Sequence, residues 1–153
     1  METTLIILKP DAVQRGLAGE ILARFEKKGL SLVALKMMKI PRKLAEQHYA
    51  EHAGKPFYDG LLGFVTSSPS VIIAIRGFNA IAVCRKLIGS TNGQKAEPGT
   101  IRGDFGMSGG YNLIHGSDAP ESAQRELKLW FPDNDFDTTP RTLDTWVYDP
   151  SDL

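Results

Sequence analysis

Residues 70–89 read SVIIAIRGFNAIAVCRKLIG, and the two halves of this stretch follow different rules. Val71 to Ile75 is a short, continuous apolar run rich in β-branched residues, which marks a strand with a buried core. From Asn79 the spacing becomes helical, with Asn79 or the residue before it as the cap. Working back toward the N-terminus, TTLIILK at 3–9 reads as a strand, apolar from Leu5 to Leu8 and closed by Pro10. AGEILARFEKKG at 18–29 has helical spacing at Ile21, Leu22 and Phe25, with Gly29 as C-cap. SLVALKMMKI at 31–40 is a second strand. PRKLAEQHYAEHAG at 41–54 is a helix opened by Pro41 and closed by Gly54, and FYDGLLGFVTS at 57–67 a further short helix.

Working forward, the pattern stops. Gly89 to Gly110 contains seven glycines, Pro98 and few large apolar residues, and a loop of that length inside a compact domain is usually functional or disordered. YNLI at 111–114 reads as a strand, followed by a helix from Ala119 to Trp130. The remaining tail is irregular, yet it carries Trp146, Val147 and Tyr148, so at least part of it should pack on something. The order β-α-β-α-α-β-α-β-α predicts an α+β fold: a ferredoxin-like split βαβ arrangement, with a four-stranded antiparallel sheet covered by helices and a long loop at about 89–110. We expect one domain over residues 1–153, with 132–153 as an extension packed on that domain or on a neighbouring subunit.

Lys plus Arg equals Asp plus Glu at 18 each, which argues against dedicated nucleic-acid binding. Cys84 is the single cysteine, so no intrachain disulfide forms. The opening METTLIILKPDAV lacks the basic stretch of a signal peptide, and no apolar run approaches a membrane span. The expectation is a cytoplasmic protein without membrane partners.

Two glycine-rich stretches fail as phosphate motifs. GSTNGQK has its second glycine one residue early, and Gln94 separates it from Lys95; GDFGMSGG follows no strand. HYAEH at 48–52 fits an inverted zinc-peptidase pattern, but the spacing arises readily by chance on a solvated helix face. The RGD at 102–104 is a coincidental adhesion tripeptide. More telling, the loop brings Thr91, Arg102 and flexible glycines close to Arg85, a set suited to polyphosphate. Lys9 closes the first strand, where an ammonium can point into a site above the sheet edge. Asp118 and Glu121 have the D-x-x-E spacing of a capping box, so His115 ends a strand beside a helix N-terminus. Glu126 sits in that helix beside Ala123, Leu127 and Trp130; partly buried, it needs a partner, and His115 is a suitable one.

N-x-x-H-G-S-D, here Asn112 to Asp118, resembles the active-site signature of nucleoside diphosphate kinases. LKPDAVQRGLAGEILARFEKKG, HYAEHAGKPFYDGL, GSTNGQKAEPGTIRGDF and HGSDAPESAQRELKLWF resemble that family in order, covering residues 3 to 131 or thereabouts. The resemblance implies ping-pong transfer of a γ-phosphoryl from a nucleoside triphosphate to a nucleoside diphosphate through a phosphohistidine on His115. It implies that Lys9 and Asn112 meet the ribose and nearby phosphate oxygens, and that Arg85, Thr91 and Arg102 hold phosphates. Tyr49 would stand beside the histidine, with Glu126 and Ser117 setting it. Phe57 would stack on the base with Leu61 behind it, giving broad base tolerance. Mg²⁺ would arrive with the nucleotide, with Asp118 touching it through water. The family also implies a homo-oligomer, for which the full-length loop and the tail favour a hexamer over a tetramer. Three positions depart from the pattern: Lys55 stands where Arg is frequent, Gly109 replaces the usual Val opposite the base, and Tyr111 stands where Arg or Gly is common. A non-catalytic nucleotide-sensing or scaffold member of the same fold is the rival reading, and the intact His115, Arg102 and Asn112 speak against it.

Overall fold

The computed structural model describes residues 1–152. Strand β1 spans Glu2–Leu8, followed by helices α1 at Pro10–Gln14 and α2 at Ala18–Lys27. β2 is Ser31–Met38, α3 Arg42–His48 and α4 Tyr58–Val65. β3 is Ser70–Gly77 and α5 Ala80–Ile88. The long loop then holds α6 at Ile101–Phe105, before β4 at Ile114–Gly116, α7 at Pro120–Trp130 and α8 at Asp144–Val147.

The strands form one sheet in the order β2-β3-β1-β4, and every neighbouring pair is antiparallel. Side chains alternate between two cores. Ile6, Leu8, Ile73 and Ile75 pack with Ile21, Phe25, Cys84 and Ile88 on one face. Leu5, Ile7 and Ile72 pack with Ala45, Tyr49, Leu62, Val65 and Trp130 on the other. Helices on both faces explain why β1 and β3 read as continuous apolar runs rather than alternating ones. The burial of Cys84 pushes its thiol up to about 12, so it acts as a small hydrophobe in the first core.

The observed elements depart from the sequence reading in several places. The helix expected over 41–54 ends at His48, and His52 lies in a separate 3₁₀ turn at Ala50–His52. The two histidines of HYAEH therefore do not share a helix face as a metal pair requires. β4 begins at Ile114 rather than Tyr111, because Leu113 has φ of 71° and turns the chain instead of extending it. The loop is not structureless: Thr100 caps α6 by accepting from Gly103 N at 3.0 Å. At the start of α7, Asp118 bonds the Ser122 hydroxyl at 2.5 Å, and Ala119 N donates to the same hydroxyl; Glu121 takes no part in that cap.

The tail returns along β2, where Asp137 N donates to Val33 O and Arg141 donates to the carbonyls of Gly29 and Leu30. Val147 seats against Gly29 and Tyr148 meets Phe78 edge-on at 4.7 Å. Part of the tail thus packs as expected, through Val147 and Tyr148, while Trp146 is 88% exposed.

Candidate active site

Antiparallel pairing of β1 with β4 sets Ile7 opposite His115 and Leu8 opposite Ile114. The next residue, Lys9, therefore meets Asn112 and Leu113: Lys9 N donates to Leu113 O at 2.8 Å, and Nζ to Asn112 Oδ1 at 2.7 Å. Because Ile114 fills the first core, His115 faces the second, where α3, α4 and α7 lie. A cleft of about 930 Å³ opens there. Lys9, Tyr49, Phe57, Leu61, Thr91, Arg102, Asn112 and His115, all named from the sequence, line it. Ser117 and Glu126 lie buried behind His115. Arg85 and Asp118 line a neighbouring cavity with Glu2, Asn79 and Lys86. Arg85 reaches back only to Gly116 O, at 3.4 Å.

Glu126 Oε2 lies 2.9 Å from His115 Nε2 and accepts from Ser117 Oγ at 2.6 Å. Burial alone would raise this carboxyl, but the hydrogen bonds from His115 and Ser117 outweigh it and hold it below the usual carboxylate range. A deprotonated carboxylate can only accept, so Nε2 carries the hydrogen and Nδ1 keeps its lone pair. An imidazole set in that tautomer is an oriented nucleophile.

The sequence reading missed His48. It is 2% exposed, its ring centroid is 4.5 Å from that of His115 in an edge-to-face arrangement, and its Nδ1 accepts from Trp130 Nε1 at 3.0 Å. Burial and the neighbouring His115 push His48 down to about 3, so it is neutral. His48, His115 and Glu126 each bring a ligand atom within 4.8 Å of the others. They do not suit a metal, because the Trp130 bond puts the hydrogen of His48 on Nε2 and occupies the lone pair of Nδ1. Ring contacts continue outward, stacked from Tyr49 to His52 and edge-to-face from His52 to Phe57.

The floor of the cleft is cationic. Arg102 is 4% exposed and donates to the carbonyls of Asn112, Gly89 and Ile114 at 3.0, 3.2 and 2.5 Å. A guanidinium has five N–H donors, so some remain for a ligand. Burial, then Arg85, lowers it to about 10, which leaves it charged at neutral pH. Lys9 is lowered to about 8 by burial and then by Arg102, with Asp11 opposing. Among the described residues no carboxylate lines the cleft. A desolvated lysine, an arginine and a polar amide with no lining acid suit a polyanion. At the other end, Phe57 is 53% exposed, and Tyr111 stacks on Phe64 at 4.4 Å.

Residues 112–114 form a γ-turn of the rare positive-φ kind. Ile114 N donates to Asn112 O at 2.8 Å across Leu113, whose φ is 71°. Such strain in a non-glycine residue costs about 1–3 kcal/mol and persists only where its surroundings over-determine it. Here it lets Asn112 enter the cleft, Leu113 the first core and His115 the cleft again.

A family model for nucleoside diphosphate kinase matches residues 2–136. The chain is 56% identical over 149 residues to nucleoside diphosphate kinases of Staphylococcus epidermidis and Carboxydothermus hydrogenoformans, covering 97% of this chain and 100% of each relative. Among solved structures, the halophilic nucleoside diphosphate kinase of Halobacterium salinarum in complex with CDP matches with a TM-score of 0.94 at 47% identity, over 97% of this chain and 99% of that one. The enzyme of Encephalitozoon cuniculi matches at 0.93 and 42%, over 97% and 100%. With the oriented histidine, the cationic floor and these similarities in hand, the chain belongs to the nucleoside diphosphate kinase family of phosphotransferases.

Proposed function

We propose that this nucleoside diphosphate kinase carries the phosphoryl group on His115. Nδ1 attacks the γ-phosphorus of a nucleoside triphosphate; the P–N bond forms as the bond to the bridging β–γ oxygen breaks, and the nucleoside diphosphate leaves. A second nucleoside diphosphate reverses the step in the same cleft, so the kinetics are ping-pong. The observation that carries this reading is the bond from His115 Nε2 to a buried, deprotonated Glu126. It fixes the tautomer and counters the positive charge that builds on the ring as the phosphoryl arrives.

Lys9, Arg102, Thr91 and Asn112 bind phosphate and ribose oxygens, with Arg85 approaching from the neighbouring side. Tyr49 flanks the histidine; burial and then Glu126 push its hydroxyl above the ordinary range, so it stays a donor. The base stacks on Phe57 over Leu61, and stacking accepts every base because each has a π-face. The acid-free lining fits Mg²⁺ carried in on the phosphates rather than held by a protein cage, with Asp118 reaching it through water. When bound, the ion neutralises charge on the phosphoryl group.

The protein acts as a homo-oligomer, with a hexamer favoured. β2 is the outer strand of the sheet, partly covered by the tail, and its Leu35 and Met37, 50% and 59% exposed, offer apolar surface for a second copy. Among the described residues no helix is long and apolar enough to cross a membrane, and the proposed setting is cytoplasmic.

Intact-mass analysis after incubation with MgATP tests the mechanism. One added phosphate, stripped by acid, spared by alkali and lost on adding a nucleoside diphosphate, is expected. Absence of that adduct where ATP demonstrably binds, or its persistence in His115→Ala, overturns it.

A further inference from the structure

The strained turn at Leu113 is held from both sides by one short segment. Lys9 N donates to Leu113 O at 2.8 Å, and two residues later Asp11 Oδ2 accepts from Leu113 N at 3.0 Å. Both backbone polar groups of the left-handed residue are thus tied to the Lys9–Pro10–Asp11 segment at the end of β1 and the start of α1. Pro10 at the first helical position holds the segment rigid. The turn in turn sets three phosphate-side groups. Asn112 Oδ1 accepts from Lys9 Nζ, Asn112 O from Arg102 Nε, and Ile114 O from Arg102 Nη2. Two residues further on stands His115.

From this geometry we infer that Asp11 is a positioning residue of the phosphoryl site: its carboxylate buckles the Asn112–Leu113 turn and is the internal counter-charge of Lys9 and Arg102. The inference rests on the reading of those cations as the phosphate floor. Asp11 does not line the cleft and touches no substrate; it acts through the turn and through its charge. Its second oxygen, Oδ1, is buried without a hydrogen-bond partner. Leaving a carboxylate oxygen unpaired is unfavourable unless nearby cations compensate. Asp11 favours the protonated forms of both Lys9 and Arg102, against burial of each and against the repulsion of Arg102 on Lys9 and of Arg85 on Arg102. An anion-binding floor must stay charged when no anion is present, and Asp11 is placed to keep it so.

The charged groups acting on Lys9 are Arg102 from α6 and Asp11 from α1; Tyr49 and His115 share the cleft lining with it, and His48, pushed down in part by Lys9, is neutral. Of these only Asp11 favours the charged ammonium, so its neutralisation shifts Lys9 in one direction, downward.

Asp11→Asn is the test, because the amide oxygen can still accept from Leu113 N while the charge is lost. The fold is retained, kcat/KM falls at least tenfold at pH 8, and the alkaline limb of its pH profile moves down by at least half a unit. Asp11→Ala loses the buckle as well, and kcat falls together with a rise in KM for the diphosphate. A folded Asp11→Asn enzyme with kcat/KM within twofold of the parent and an unmoved alkaline limb overturns the inference. Lys9→Ala, measured alongside, separates the two levels: if it retains full kcat/KM, the reading of the cationic floor has failed, and the Asp11 inference falls with it. If Lys9→Ala is impaired and Asp11→Asn is not, only the inference about Asp11 fails.

Discussion

His115 and Glu126 come from different elements, β4 and α7, and meet at 2.9 Å between Nε2 and Oε2. The contact depends on the short link Ser117–Ala119, whose Ser117 hydroxyl donates to the same carboxylate oxygen at 2.6 Å. Replacing Glu126 by Gln keeps an acceptor but removes the charge that offsets a developing imidazolium. Phosphohistidine formation is expected to slow by about 10- to 100-fold, in line with the loss of one charge-assisted hydrogen bond. Single-turnover rates with MgATP measure this directly, and nucleotide affinity is expected to stay within about twofold because Glu126 does not line the cleft.

The pH dependence follows from Lys9. Burial and Arg102 hold it near 8 rather than at its ordinary value, so it is a cation below about pH 8 and neutral above. Phosphate binding needs the cation. The free enzyme is therefore expected to lose kcat/KM as pH rises through about 8, whereas the limb in kcat lies higher because bound phosphate favours the charged form. Lys9→Arg, charged throughout, is expected to abolish the limb in kcat/KM even if its overall rate is lower. A steady-state pH series on both proteins decides it.

Trp130 donates to His48 inside the second core, and both side chains are buried. Trp130→Phe leaves His48 Nδ1 without a partner and removes ring volume. A loss of about 2–4 kcal/mol in unfolding free energy is expected, combining an unsatisfied buried acceptor with a cavity. Urea unfolding with an unchanged midpoint would remove the tautomer argument made for His48.

β1 and β3 were legible because helices on both faces make them uniformly apolar, which leaves a plain mark in Leu5–Leu8 and Val71–Ile75. The cleft residues were legible mainly through the order of family-like motifs rather than through spacing. What stayed hidden depended on contacts distant in sequence. His48 reads as one end of HYAEH until Trp130, 82 residues on, fixes its role. The positive φ of Leu113 has no local sign, since leucine seldom adopts it and Asp11 enforces it from 102 residues away. α6 was concealed by Gly103 in its middle.

Gly103 has a steric reason. A Cβ there would lie 1.9 Å from Glu97 O and 2.8 Å from Thr100 Oγ1, the hydroxyl that caps the helix. Backbone cannot yield as a flexible side chain does. Gly103→Ala is expected to displace α6 and with it Arg102, costing about 2 kcal/mol or more of stability and raising the nucleotide KM about tenfold. Thermal unfolding and initial rates on one preparation read both effects.

Gly109 presents the opposite case. A Cβ at this position meets only Asn92 Nδ2, at 3.8 Å, so the cleft, which Gly109 lines together with Phe57, has room there for a side chain. On the proposed binding mode the base has an aromatic face on one side and open space on the other. Gly109→Val supplies the missing apolar contact. Covering about 30–60 Å² of base surface at about 25 cal/mol per Å² corresponds to roughly 1 kcal/mol. The KM for diphosphates is therefore expected to fall about four- to twelvefold, for purines and pyrimidines alike, because the added contact is to a π-face and not to a base edge. Phe57→Ala is expected to raise KM by a larger factor in the parent than in the valine variant, where some stacking surface remains. If Gly109→Val instead raises KM for every base, the base does not lie between Phe57 and the 109–110 segment, and the binding mode must be redrawn along the Phe64–Tyr111 stack.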